Sequence, residues 1–270
     1  MAVHEPPVEN ESNSTNPDHL LIANQQHGLL EEAPALGEIG ILVEVAGCNL
    51  TCGNLTLGNG QPSAKLEPSD GATWACDKVA TWSDHESAHT AESLMTEWEA
   101  RGWISVIEGG HTRNIVLSGG EPMLPGSQDA WADFFGLLTS KTGETPNVQV
   151  HTNGTHLPSR RLRSFVDSYV VSPKLSNSGL PESTRLNDQA LFEFGKYANI
   201  SGINTEFVFL ISTTDDLQEV SYVRERFNVP SQHIVLMTPR EMTDKKFISD
   251  LEDSIVENGY RLRHRHRSDS

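Results

Sequence analysis

The sequence predicts an α/β protein built on a curved sheet of about six parallel strands with helices crossing between them. Three observations predict it. Apolar residues come in short bursts at 39–46, 115–117, 169–171, 207–211 and 234–237, separated by stretches of helical periodicity. No fixed repeat of solenoid or propeller period runs along the chain. At 270 residues it lies in the range that one α/β barrel occupies, so one catalytic domain with appendages accounts for it.

The elements follow in order. Residues 1–18 are rich in Asn, Ser, Glu and Pro without apolar periodicity and read as a disordered leader, with the ordered domain spanning 19–260. A buried strand at 39–46 runs into Gly47 and Cys48, which places Cys48 on a strand-end loop. The Gly-, Asn-, Ser- and Pro-rich stretch 53–75 reads as a loop insertion between Cys52 and Cys76. A helix is expected at 91–101, with Leu94, Met95, Trp98 and Trp103 on one face, followed by a strand at 114–118. Alternation continues with helix 128–139, strand 147–151, helix 158–167, strand 168–172 and helix 187–198, for which Asn187 is the N-cap. Strand 204–211, helix 215–227, strand 233–237 and helix 243–258, opened by Thr243, complete six strand–helix units. Residues 261–270 form a basic tail, read as solvated. In such a sheet the functional loops gather at the C-terminal ends of the strands.

The formal charge of −17, from 37 acidic and 20 basic side chains, argues against a nucleic-acid partner for the body of the protein. No run of about eighteen apolar residues and no apolar signal core occurs, so a cytoplasmic protein is expected. Three closely placed cysteines make a poor disulfide framework and a good start for a metal site. Three thiolates on one loop can hold three irons of a cubane and leave the fourth open to an exogenous ligand. A zinc site completed by His85 or His89 as Cys₃His is the alternative, and the cysteines alone do not choose. The segment Val116-Leu117-Ser118-Gly119-Gly120-Glu121-Pro122 favours the cluster: its glycines let backbone approach a ligand, and Glu121 can accept from an ammonium group.

Together Gly47-Cys48-Asn49-Leu50-Thr51-Cys52, Gly119-Gly120-Glu121-Pro122, Thr152-Asn153-Gly154 and Ser172-Pro173-Lys174 resemble the radical S-adenosylmethionine superfamily, most closely its 7-carboxy-7-deazaguanine synthase family, over about residues 40–239. The resemblance implies an incomplete β/α barrel. It implies that Cys48, Cys52 and Cys76 ligate a 4Fe-4S cluster whose open iron is chelated by S-adenosylmethionine. By the same likeness Ser118, Gly119, Gly120 and Glu121 would hold the methionine end, Asn153 would lie along the cofactor, Ser172 and Lys174 would meet its ribose or carboxylate, and Met237 would border the adenine. The implied reaction is a lyase step of queuosine-type 7-deazaguanine biosynthesis. A 5′-deoxyadenosyl radical takes a hydrogen from 6-carboxy-5,6,7,8-tetrahydropterin, which becomes 7-carboxy-7-deazaguanine with loss of ammonia, assisted by magnesium. A reductant protein such as flavodoxin or ferredoxin and a homodimer are the partners implied.

The chain departs from that pattern at positions that would face the substrate. Cys76 is displaced by the insertion, a change that closure entropy tolerates because each doubling of a loop costs only about 0.6 kcal/mol. Lys78 stands where the family has a magnesium-binding threonine, and a charged lysine is no metal ligand. Gln25-Gln26-His27-Gly28 is a weak echo of the family's N-terminal motif, with Gln26 a candidate substrate contact. Glu44 replaces a first-strand arginine and would repel a substrate carboxylate. The chain ends in its basic tail where relatives have a longer closing segment with a substrate-contacting histidine; His264 or His266 is the candidate replacement, against the favoured reading of a solvated tail. These departures keep two other readings open: a radical activase of a protein partner, and a non-catalytic, zinc-stabilised relative.

Overall fold

The computed structural model describes residues 19–31, 34–53, 68, 71–82, 87–110, 114–200, 203–239 and 245–263. The leader 1–18, most of the insertion, His85, Thr243, His264 and His266 lie outside the described residues. Among those described, nine strands form one sheet in the order β3-β1-β2-β4-β5-β6-β7-β8-β9. They are β1 (Leu20–Leu29), β2 (Ile39–Val45), β3 (Ser87–His89), β4 (Asn114–Gly119), β5 (Asn147–Thr152), β6 (Val166–Val171), β7 (Asn204–Leu210), β8 (Ile234–Met237) and β9 (Arg261–Arg263). All six strands expected from the sequence are present, and each runs parallel to its neighbour from β2 through β8.

Alternation along each strand separates two faces. One set, including Ile41, Val43, Leu117, Val150, Val171, Phe207, Phe209 and Leu236, is packed into the main core. The helices α1 (Ala91–Ala100), α3 (Gln128–Thr142), α6 (Asp188–Ala198), α7 (Asp216–Arg226) and α8 (Lys245–Asn258) add Trp98, Trp131, Phe134, Phe194, Val223 and Leu251 to that core, and α5 is the single turn Glu182–Arg185. Trp98 meets Phe134 edge to face at 4.8 Å, a geometry worth about 1 kcal/mol beyond the buried area. The other set, including Glu44, Ser118, His151, Ser172, Leu210 and Met237, lines a cavity on the opposite face. The expected N-cap holds: the Asn187 side chain accepts from Ala190 N at 3.0 Å.

Four local differences have physical causes. β1 is a strand despite its polar Asn24-Gln25-Gln26-His27 run, because its backbone pairs antiparallel with β2 and β3. A short helix, α2 (Trp103–Glu108), follows α1 across Gly102, whose φ of 74° breaks the first helix. The expected helix at 158–167 is cut to α4 (Arg160–Arg163); Val166 already pairs with Val148, and the Asp167 carboxylate accepts from Val148 N at 2.8 Å. The solvated tail expected from Arg261 begins instead with β9, which pairs parallel with β8. Glu206, buried on β7, draws it in by pairing with Arg261 at 2.8 Å and Arg263 at 2.7 Å. No helix among the described residues is long and apolar enough to cross a membrane.

Candidate active site

The cysteine loop leaves β2 through Gly47, whose φ of +86° suits glycine. Both ends of the insertion are fastened to one turn, Ser176–Ser178: Gly53 N donates to Ser178 O and Thr73 N to Asn177 O, each at 2.9 Å. Asn177 secures the returning segment further. Its Oδ1 accepts from Trp74 Nε1 at 2.8 Å, while its Nδ2 donates to Leu210 O and Asp216 Oδ2. The long insertion therefore returns Cys76 beside Cys52, and the three cysteines pack around Leu50, Trp74 and Leu180.

All three thiols line the cavity. Burial pushes Cys48 up to about 12 and Cys52 up to about 11, and raises Cys76 as well. The Lys174 ammonium offsets part of that rise at Cys52 and Cys76. A buried thiol set of this kind becomes a set of thiolates only beside a strongly positive partner, which is the charge an iron–sulfur cluster would bring. Among the described residues no three His, Cys, Asp or Glu side chains can hold one metal ion. The zinc arrangement through His89 is not assembled, because His89 is buried on β3 and faces Glu97 at 3.4 Å.

The turn after β4 is built against this loop. Gly120 N donates to Val45 O and Glu121 N to Gly47 O, both at 2.8 Å. A Cβ on Gly120 would stand 1.9 Å from Gly47 O, and Gly119 has φ +96° with Val45 N 2.7 Å from its would-be Cβ. Only glycine fits at either position. Glu121 differs from its expected place: it is 1% exposed and lies beneath the wall. Its Oε1 accepts from Met123 N at 2.8 Å and Thr152 Oγ1 at 2.7 Å, and its Oε2 from Asn153 N at 2.7 Å. Burial raises its pKa despite those donors. In this geometry the carboxylate ties the turn to the end of β5.

Asn153 continues the tie, donating Nδ2 to Asn49 Oδ1 at 2.9 Å beside Cys48 and accepting from Thr155 N and Oγ1. After β6, Lys174 Nζ donates to Ser172 Oγ at 2.9 Å, and Lys174 O accepts from the buried Arg185. Met237 closes the far side with Val170, Val208 and Val235. The cavity measures about 420 Å³, within the range of small-molecule sites. Of the residues singled out from the sequence, Ser118, Gly119, Gly120, Asn153, Ser172, Lys174, Met237, Gln26, Glu44 and Lys78 line it with the cysteines; Glu121 does not.

No protein-family model matches the chain. It is 26% identical over 230 residues to the 7-carboxy-7-deazaguanine synthase of Pyrobaculum aerophilum, spanning 84% of this chain and 83% of that one. It is 25% identical over 205 residues to the enzyme of the same name from Clostridium acetobutylicum, spanning 75% and 73%. Its structure matches the crystal structure of QueE from Escherichia coli with a TM-score of 0.58 at 18% identity, covering 92% of this chain and 95% of that one. The chain resembles 7-carboxy-7-deazaguanine synthases in sequence and QueE in fold. The incomplete barrel expected of a radical S-adenosylmethionine protein is thus borne out.

Two of the positions that depart from the resembled pattern, Glu44 and Lys78, are joined to each other. The Lys78 ammonium pairs with Glu44 Oε1, and Asn24 Nδ2 donates to Glu44 Oε2 at 3.1 Å. The negative charge of Glu44 on β2 is matched by the positive charge of Lys78 on the segment following Cys76. Sequence reasoning missed His151, Asp77, Trp82, Leu210 and Arg263, which also line the cavity. The period-two alternation of β5 and β7 pointed to His151 and Leu210; no local signal pointed to Arg263.

Proposed function

We propose that the chain is a radical S-adenosylmethionine enzyme converting 6-carboxy-5,6,7,8-tetrahydropterin to 7-carboxy-7-deazaguanine with loss of ammonia. The observation that carries the reading is the convergence of Cys48, Cys52, Cys76 and the Gly119-Gly120 turn on one cavity. Similarity to 7-carboxy-7-deazaguanine synthases over most of the chain supports the substrate, and a cavity of about 420 Å³ favours a small molecule over a protein segment.

A 4Fe-4S cluster held by the three cysteines, with S-adenosylmethionine bound beside it, would supply reductive cleavage of the cofactor and abstraction of a hydrogen from the substrate. The chain's own residues do the rest. Gly119 and Gly120 leave room for a ligand against bare backbone, and Glu121 and Asn153 fix that backbone from behind. Lys174, oriented by Ser172, presents an ammonium to a carboxylate beside the cysteines. Leu50, Trp74, Val208 and Leu210 line the cavity with apolar surface, which excludes water that would quench a reactive species. Lys78 offers donors only, so turnover is proposed to proceed without magnesium at that position.

The test is iron and acid-labile sulfide content of anaerobically reconstituted protein, followed by dithionite-dependent cleavage of S-adenosylmethionine with and without the pterin. About four irons and cleavage stimulated by the pterin are expected. Cleavage indifferent to the pterin would keep the chemistry and remove the substrate; zinc without iron, and no cleavage, would remove both.

A further inference from the structure

The cavity has charged walls of opposite sign. Among the described residues, Glu31, Glu44 and Asp77 line its β1–β2 side together with Lys78, which pairs with Glu44. On the far side Arg263 lines it, and two guanidiniums, those of Arg261 and Arg263, share the single carboxylate of Glu206. An anion entering this space is repelled from β2 and attracted toward β9.

Each wall also has hydrogen-bonding capacity in reserve. Glu44 receives Lys78 on one oxygen and Asn24 on the other, and a carboxylate has about four acceptor positions. A guanidinium has about five N–H donors; Arg263 gives Nη2 to Glu206, and its side chain is 22% exposed. A pterin matches this pair chemically. One edge carries a ring N–H beside an amino group, two parallel donors spaced for the two oxygens of a carboxylate, and a 6-carboxy group lies at the opposite end as an acceptor for a guanidinium fork.

We infer that the substrate lies across the cavity with its amino–amide edge on Glu44 and its carboxylate on the Arg263 guanidinium. The inference rests on the pterin reading above and adds which residue sets selectivity for the carboxylated ring. It turns the acidic residue on β2 from an obstacle into the recognition element for the uncharged end, and gives β9 a role in specificity.

Two air-stable aromatic probes, 6-carboxypterin and pterin, differ only in the carboxylate and can be titrated into the reconstituted full-length chain by their fluorescence. The wild type is expected to prefer 6-carboxypterin. Arg263→Gln should weaken 6-carboxypterin about tenfold or more while leaving pterin within about twofold, the size expected for one charge-assisted contact. Arg263→Lys keeps the charge while losing the fork, and should recover part of the preference. Glu44→Gln should weaken both probes alike. An equal loss of both probes in Arg263→Gln, or loss of the preference in Lys78→Met instead, overturns the orientation. A wild type that cleaves S-adenosylmethionine but binds neither probe overturns the pterin reading, and this inference with it.

Discussion

At the cysteine end of the cavity the turns are packed backbone against backbone, whereas at the β2 and β9 walls ion pairs are added to the backbone pairing of the strands. Gly120 N on Val45 O, Glu121 N on Gly47 O and Gly53 N on Ser178 O fix the first region. Lys78 on Glu44 and two arginines on Glu206 fix the second. The close approach at Gly119 and Gly120 tolerates one residue type, whereas an ion pair can exchange its members so long as charge is balanced. That difference fits a chain that resembles 7-carboxy-7-deazaguanine synthases in its cysteine and Gly-Gly segments and departs from their pattern at Glu44 and Lys78.

The sharpest test of the contrast compares two glycines. A Cβ on Gly120 meets the Gly47 carbonyl, whereas nothing lies within 4 Å of one on Gly28 of β1. Gly120→Ala should cost about 3 kcal/mol, the upper part of the range for overpacking, and most of the iron should be lost on reconstitution. Gly28→Ala should leave the melting temperature and iron content unchanged. Equal behaviour of the two variants would break the comparison.

A smaller effect is expected at Asn177, which secures the segment bearing Cys76. Asn177→Ala leaves Trp74 Nε1 and the Asp216 carboxylate each short of a buried partner, at about 1–3 kcal/mol for an orphaned buried group. Iron content should fall, and Cys76 should become more reactive than Cys52 toward a thiol reagent in the cluster-free protein. Replacing residues 54–70 by a short linker should leave both readouts intact, because Gly53 and Thr73 already meet at the same turn. Intact iron binding in Asn177→Ala, or its loss on shortening, would assign the positioning of Cys76 to the insertion.

At Lys78 the expected effect is on ion dependence. Turnover of the wild type should be unchanged by a magnesium chelator, and Lys78→Thr, which leaves Glu44 without its ammonium, should make activity respond to added magnesium. A wild type strictly dependent on magnesium would place the ion elsewhere in the cavity and sink the charge-replacement reading.

How much of this was legible in the sequence follows the same divide. The six parallel strands announced themselves because their inward residues, such as Ile41, Val43, Phe207 and Phe209, repeat with a local period. The cysteines and the Gly-Gly turn were legible because their chemistry lies within a few residues. β1 was hidden: Gln25 earns its buried place through Trp98 Nε1 and Glu97, partners far along the chain. β9 was hidden for the same reason, its arginines reading as a solvated tail until Glu206 stands beside them. Glu121 looked like a ligand-facing carboxylate because no sequence pattern shows that Met123, Thr152 and Asn153 already occupy its oxygens.

The smallest effect concerns how β9 is retained. Burial alone would raise Glu206, but Arg263 and Arg261 outweigh it and hold the carboxyl below its ordinary value. A carboxyl with a depressed folded pKa stabilises the fold at pH above its unfolded value of about 4.3, and that contribution disappears as pH falls through the lower folded value. The urea midpoint of the wild type should therefore drop more steeply than that of Glu206→Gln as pH is taken from 6 to 3, with the curves converging at the acid end. Since Arg263 is the residue inferred to meet the substrate carboxylate, Glu206→Gln should also loosen that residue's placement and weaken 6-carboxypterin more than pterin at neutral pH. Parallel urea curves would show that the ion pairs on β9 are matched in the unfolded chain, and that β9 is retained by its backbone pairing with β8 instead.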